Sequence, residues 1–158
     1  MITLIQTSTV GSGGAASIEF TGIPQEAKDL LLLLSLRNSV DSSSGTLAFN
    51  TGGSYTRMRF FGNGSTEDSD TSAIDIQANT SVSTANTFSN TEVCVRNYSD
   101  AQAKHYSVNS VNENNATLAI QAFIAGRWSE TAAITSLELT PTSGDFVEHS
   151  TASLYSIS

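Results

Sequence analysis

Apolar and polar residues alternate along this chain in short runs, and clusters of turn-forming residues interrupt them about every ten positions. The pattern predicts strands over Ile2–Thr9, Ala16–Phe20, Leu30–Arg37, Thr46–Asn50, Thr56–Phe61 and Ala73–Ala78. It predicts further strands over Thr87–Arg96, Lys104–Val111, Thr117–Arg127, Ala133–Thr140 and Thr151–Ile157. Between them lie Gly11-Ser12-Gly13-Gly14, Asp41 to Gly45, Gly52-Gly53, Gly62-Asn63-Gly64 and Ser143-Gly144-Asp145. Many short strands so spaced make an all-β fold, an antiparallel sandwich or a barrel.

Alternation also assigns faces, because successive side chains on a strand point to opposite sides. Met58 and Phe60 share one face, and Arg57, Arg59 and Phe61 the other. Val93 and Val95 lie opposite Cys94 and Arg96, and Leu154 lies opposite Tyr155 and Ile157. Leu30 to Leu34 does not alternate, so that strand is expected to be central and covered on both faces. Ser65 to Ser72 is the most polar stretch and is expected to be an exposed, mobile loop.

Composition narrows the picture. The polar share is carried by Ser, Thr and Asn, with only 14% charged residues; Thr suits strands, and Ser and Asn suit turns. A length of 158 residues predicts one domain spanning 1–158, large enough to fold around its own core. The net charge of −8, with the seven Lys and Arg scattered, excludes the clustered basic surface that nucleic acid requires. The first residues lack the basic flank and apolar run of a signal peptide. The longest apolar run, Leu30 to Leu34, is far too short to span a membrane. Neither a nucleic-acid nor a membrane partner is expected.

Catalytic and cofactor chemistry finds little to work with. Gly11 to Gly14 resembles a phosphate loop, but Ser17-Ile18-Glu19-Phe20 alternates as a strand, where the mechanism needs a helix N-terminus. His105 and His149 are the only histidines, and no Gly-x-Ser-x-Gly elbow accompanies them. Cys94 is the only cysteine and reads as a small core residue. Glu67, Asp68, Asp70 and Asp75 are weak calcium candidates, since their spacing is not that of an EF-hand. Trp128, Tyr55, Tyr98, Tyr106 and Tyr155 are expected mainly in the core, although exposed aromatics would suit a sugar platform. No enzyme, metal or cofactor is expected.

The segment Gly11 to Pro24 resembles the opening of a family of small tailed-phage virion proteins of marine and cyanobacterial phages. Asn112 to Thr117, Gly126 to Leu137 and the ending Gly144 to Ile157 match the same family, except that Ser156 stands where the family ending has Gly. The resemblance implies a jelly-roll-like sandwich, a homotrimer, and a place on the virion after synthesis in the host cytoplasm. It implies a capsid decoration or cement protein that contacts the major capsid protein and stabilises the shell. The alternative it leaves open is a receptor- or carbohydrate-binding module of a tail fibre. Met1, Ile2, Glu67, Asp68 and Asp70 are the expected capsid contacts.

Overall fold

The computed structural model describes residues 1–62, 66–70, 74–115 and 118–158, with Phe61 and residues 66–70 described at the backbone alone. The strands are β1 (Ile2–Thr9), β2 (Ile18–Thr21), β3 (Asp29–Ser35), β4 (Ser44–Phe49), β5 (Tyr55–Phe61) and β6 (Thr66–Asp70). They continue as β7 (Ile74–Gln77), β8 (Asn90–Val95), β9 (Lys104–Asn114), β10 (Leu118–Trp128), β11 (Ser136–Pro141) and β12 (Thr151–Ile157). No helix occurs among the described residues. Each of the eleven expected strands is present, with ends displaced by a few residues.

Two antiparallel sheets result: an eight-stranded one in the order β1-β12-β3-β8-β9-β10-β5-β6, and a four-stranded one in the order β2-β11-β4-β7. Setting aside β5, β6, β9 and β10 leaves eight strands, with the first, eighth, third and sixth in one sheet. The second, seventh, fourth and fifth form the other. That nested order is a jelly roll. The hairpins β5–β6 and β9–β10 add four more strands to the larger sheet.

The core follows the alternation. Leu30, Leu32, Leu34, Val93, Val95 and Leu154 face inward from the large sheet, and Phe20, Leu47, Phe49, Ile74, Leu137 and Leu139 meet them from the small one. Phe49 lies at the centre of an aromatic cluster, with ring centroids 6.0 Å from Tyr55, 6.1 Å from Tyr106 and 5.6 Å from Trp128. Burying such rings edge to face adds specific geometry to the area removed from water.

Beyond Tyr55, which packs on Phe49, the next inward positions of β5 are polar. Arg57 and Arg59 take those positions and reach Asp75 of β7 at 3.9 and 2.5 Å. Met58 and Phe60 consequently face outward, 49% and 48% exposed.

Two expectations are corrected. Ser65 to Ser72 reads as a loop from sequence, yet Thr66–Asp70 is strand β6, paired with β5. An all-polar strand gives no alternating apolar signal, and polar or charged residues are what protects a sheet edge. Leu30 to Leu34 is a central strand, between β12 and β8, but only Leu30, Leu32 and Leu34 are buried. The opposite face is open, with Leu33 39% exposed.

Candidate functional site

The outer face of the large sheet is where apolar surface collects, and register shows how. At one corner, Leu4 of β1 pairs with Tyr155 of β12, which pairs with Leu31 of β3. Ile2 pairs with Ile157 on the same face. A register shift between Leu4 and Gln6 lets Ile5 turn towards the core while Leu4 stays outward. The outcome is a corner of Ile2 (61% exposed), Leu4 (52%), Leu31 and Leu33, bordered by β1. Among the described residues β1 pairs only with β12, so its second edge offers unused backbone donors and acceptors.

Towards the other end, one residue from each of four neighbouring strands falls into a single row. Glu92 of β8 pairs with Asn109 of β9, Asn109 with Phe123 of β10, and Phe123 with Phe60 of β5. These side chains, with Ser107 and Ala125, line a shallow groove of about 300 Å³. Phe123 is 50% exposed, as Phe60 nearly is.

A second depression, about 420 Å³, opens at the end of the sandwich beside Asp41, Asn112 and Asn114. Glu113 in its wall is held from behind, whereas the buried Asn112 Oδ1 has no hydrogen-bond partner among the described residues. Glu113 accepts from Thr84 N (2.6 Å), Thr84 Oγ1 (3.1 Å) and Thr87 Oγ1 (2.9 Å). Asn79 accepts from Glu113 N at 3.2 Å and donates to Thr87 Oγ1 at 2.8 Å.

The expected site residues do not converge. Met1 and Ile2 lie at the β1 edge of the large sheet, while Glu67, Asp68 and Asp70 belong to β6 at its opposite edge. The side chains of Glu67, Asp68 and Asp70 lie outside the described residues. Asp75, the remaining calcium candidate, is committed to Arg59 and Arg57. Among the described residues no three His, Cys, Asp or Glu side chains gather as a metal site would require.

His105 is exposed on the outer face of β9, and His149 is exposed in the loop before β12 with φ of 73°. Ser150, beside His149, is fully buried, and its Oγ is held by the backbone of Arg37. Cys94 is not the core residue the sequence suggests: it is half-buried on the outer face, opposite Val93 and Val95, and burial pushes its thiol pKa up, against a smaller downward pull from Arg96.

Trp128, Tyr55, Tyr98 and Tyr106 are buried, as expected. Tyr155 is half-buried on the outer face, and among the described residues the exposed aromatics are Phe60 and Phe123, which alternation alone could not orient towards solvent.

No protein-family model matches this chain, and no characterised protein matches it by sequence. Fold and surface together define a class: an all-β jelly-roll domain with an open, partly apolar sheet face.

Proposed function

We propose that this protein is a structural virion component, a decoration or cement protein that binds the outer capsid surface as a homotrimer and stabilises the shell without catalysing a reaction. The observation that carries the reading is the apolar corner of Ile2, Leu4, Leu31 and Leu33 beside the open β1 edge. An exposed apolar edge strand is a hazard to a lone soluble domain and an asset to one that assembles. A neighbouring strand can satisfy the edge while its side chains cover the corner. The resemblance of Gly11 to Pro24 and of the ending to small phage virion proteins supports the setting. Repetition at symmetry-related positions lets modest contacts sum through avidity.

The test compares particles with and without the protein. Particles lacking it assemble but release their genome at lower temperature or lower salt. Ile2→Lys combined with Leu4→Lys leaves the fold intact and abolishes association with the particle. Equal robustness of the two particles, with a loss of host adsorption, would assign the protein to receptor binding instead.

A further inference from the structure

We infer that the groove crossing β8, β9, β10 and β5 is a binding site for a neutral oligosaccharide. The groove shares no residue with the apolar corner, although its Glu92 pairs with Leu33 of that corner, so the two readings are tested on different residues.

The row Glu92–Asn109–Phe123–Phe60 has one residue on each of four adjacent strands. At ~4.8 Å per strand it is roughly 14 Å long, more than one sugar ring can fill. Its two halves differ in chemistry. Phe123 and Phe60 are paired across β10 and β5, and each leaves about half of its surface to solvent. An aromatic face, negative at its centre, suits the polarised C–H face of a pyranose.

The polar half is prepared for hydroxyl groups. Gln121 Nε2 donates to Asn109 Oδ1 at 3.2 Å, which fixes the amide and leaves its Nδ2 to donate to a ligand. Among the described residues no hydrogen bond or ion pair engages the Glu92 carboxylate, so it is open as an acceptor. The Ser107 hydroxyl lies in the same groove and can do either. Donor and acceptor side by side match vicinal hydroxyls, each of which gives one hydrogen bond and takes another.

Glu92 also decides against a protein occupant. No Lys or Arg lines the groove among the described residues. A protein surface closing over it would bury an unpaired carboxylate, which is costly unless the partner supplies a cation. A glycan satisfies the carboxylate with neutral hydroxyls and leaves it partly hydrated at the rim. The volume, about 300 Å³, lies at the lower end of the range for small-molecule sites. Only part of such a chain is seated at once, as an open face requires.

The experiment is a glycan array of neutral, acidic and basic oligosaccharides probed with the purified protein, with calorimetric titration of the best neutral ligand. Neutral glycans are expected to bind. Phe123→Ala and Asn109→Ala should each weaken binding at least about tenfold, the scale of losing one well-packed contact. Their circular dichroism spectra and their association with the particle should be unchanged. Glu92→Gln, which keeps shape and removes charge, should weaken binding by a smaller factor.

Three results overturn the inference. One is no neutral glycan bound at millimolar concentration, or binding indifferent to these substitutions. A second is capture of an oligo-arginine peptide that salt and Glu92→Gln both abolish, which would assign the groove to a cationic partner. The third is self-association lost in Phe123→Ala, which would assign it to a second copy of the chain. None of these disturbs the virion reading, whose own test turns on Ile2 and Leu4.

Discussion

Gly126 of β10 and Tyr106 of β9 are cross-strand partners, and the phenol ring of Tyr106 occupies the space into which a side chain at 126 would grow. The ring has nowhere to retreat, since it packs against Phe49 and Tyr55 with centroids 6.1 and 6.5 Å away. A glycine within a strand normally weakens it; here its bareness admits an aromatic ring to the core.

Gly126→Ala is therefore expected to destabilise the protein by about 2–3 kcal/mol through overpacking. In a chain of this size each kcal/mol moves the melting temperature by about 2–4 °C. Gly11→Ala is the control, because nothing lies within 4 Å of a Cβ there. Its effect should stay within about 0.5 kcal/mol. Thermal unfolding followed by circular dichroism separates the two, and equal melting temperatures would contradict the placement of Tyr106.

Lys104 faces Trp128 across the same strand pair, fully buried, with its ammonium 5.5 Å from the indole centroid. Nζ donates to the carbonyls of Asp100 (2.7 Å), Ala132 (2.5 Å) and Thr131 (3.2 Å), tying the loop after β10 to the start of β9. Lys104→Met keeps the stem and removes the donors, and is expected to cost about 1–3 kcal/mol. Burial holds the lysine pKa below its ordinary value, with the Asp100 carboxylate opposing. Between the folded pKa and the unfolded value of about 10.4 the unfolded chain binds more protons, so folding gains stability as pH rises through that window. The gain is lost as pH falls through the folded pKa. Urea titrations of wild type and Lys104→Met across this range should show the wild-type advantage growing with pH; a shrinking advantage would refute the assignment.

Asp75 and Arg59 join the two sheets where the small one ends, and both side chains are largely buried. Asp75→Ala leaves Arg59 and Arg57 facing a site without its carboxylate, and breaking such a pair is expected to cost about 3–5 kcal/mol. Asp29 and Arg96 make a contact almost as short, 2.6 Å, but Arg96 is 62% exposed. Asp29→Asn should cost less than about 1 kcal/mol. Salt up to 1 M should erode the second effect and leave the first. Equal losses in the two variants would show that β5 does not seal the sandwich.

Alternation made the strands legible because each buries one face, as Val93 and Val95 do opposite Cys94. It failed at β6, where Thr66-Glu67-Asp68-Ser69-Asp70 carries no apolar residue to alternate and only pairing with β5 marks the strand. It also separated Met58 and Phe60 from Arg57 and Arg59 without revealing which pair faces inward. Only the contact with Asp75 of the other sheet shows that the arginines face inward. The nested strand order resides in pairings such as Thr3 with Ser156, at opposite ends of the chain. Residues 92, 109, 123 and 60 likewise become neighbours only through register, so no local spacing could announce their groove. Leu31 and Leu33 read as covered because consecutive leucines suggest two buried faces, and within one copy of the chain their face is open.

His149 has a left-handed backbone, φ 73°, without the short polar side chain that eases Asn into that region. Its amide donates to Val10 O at 2.9 Å, so the turn into β12 depends on this conformation. Glycine adopts it without steric cost, whereas alanine keeps the Cβ that causes the strain. His149→Gly is therefore expected to stabilise the protein by about 1 kcal/mol, and His149→Ala to leave stability nearly unchanged. Strained backbone also gathers at functional sites, so the same variants, together with His105→Ala, test the absence of catalysis. All three should retain full association with the particle and full glycan binding. A gain in stability accompanied by a loss of either function would show that the strain at His149 serves that binding, and a hydrolytic activity lost in His149→Ala or His105→Ala with the fold intact would reopen the case for an enzyme.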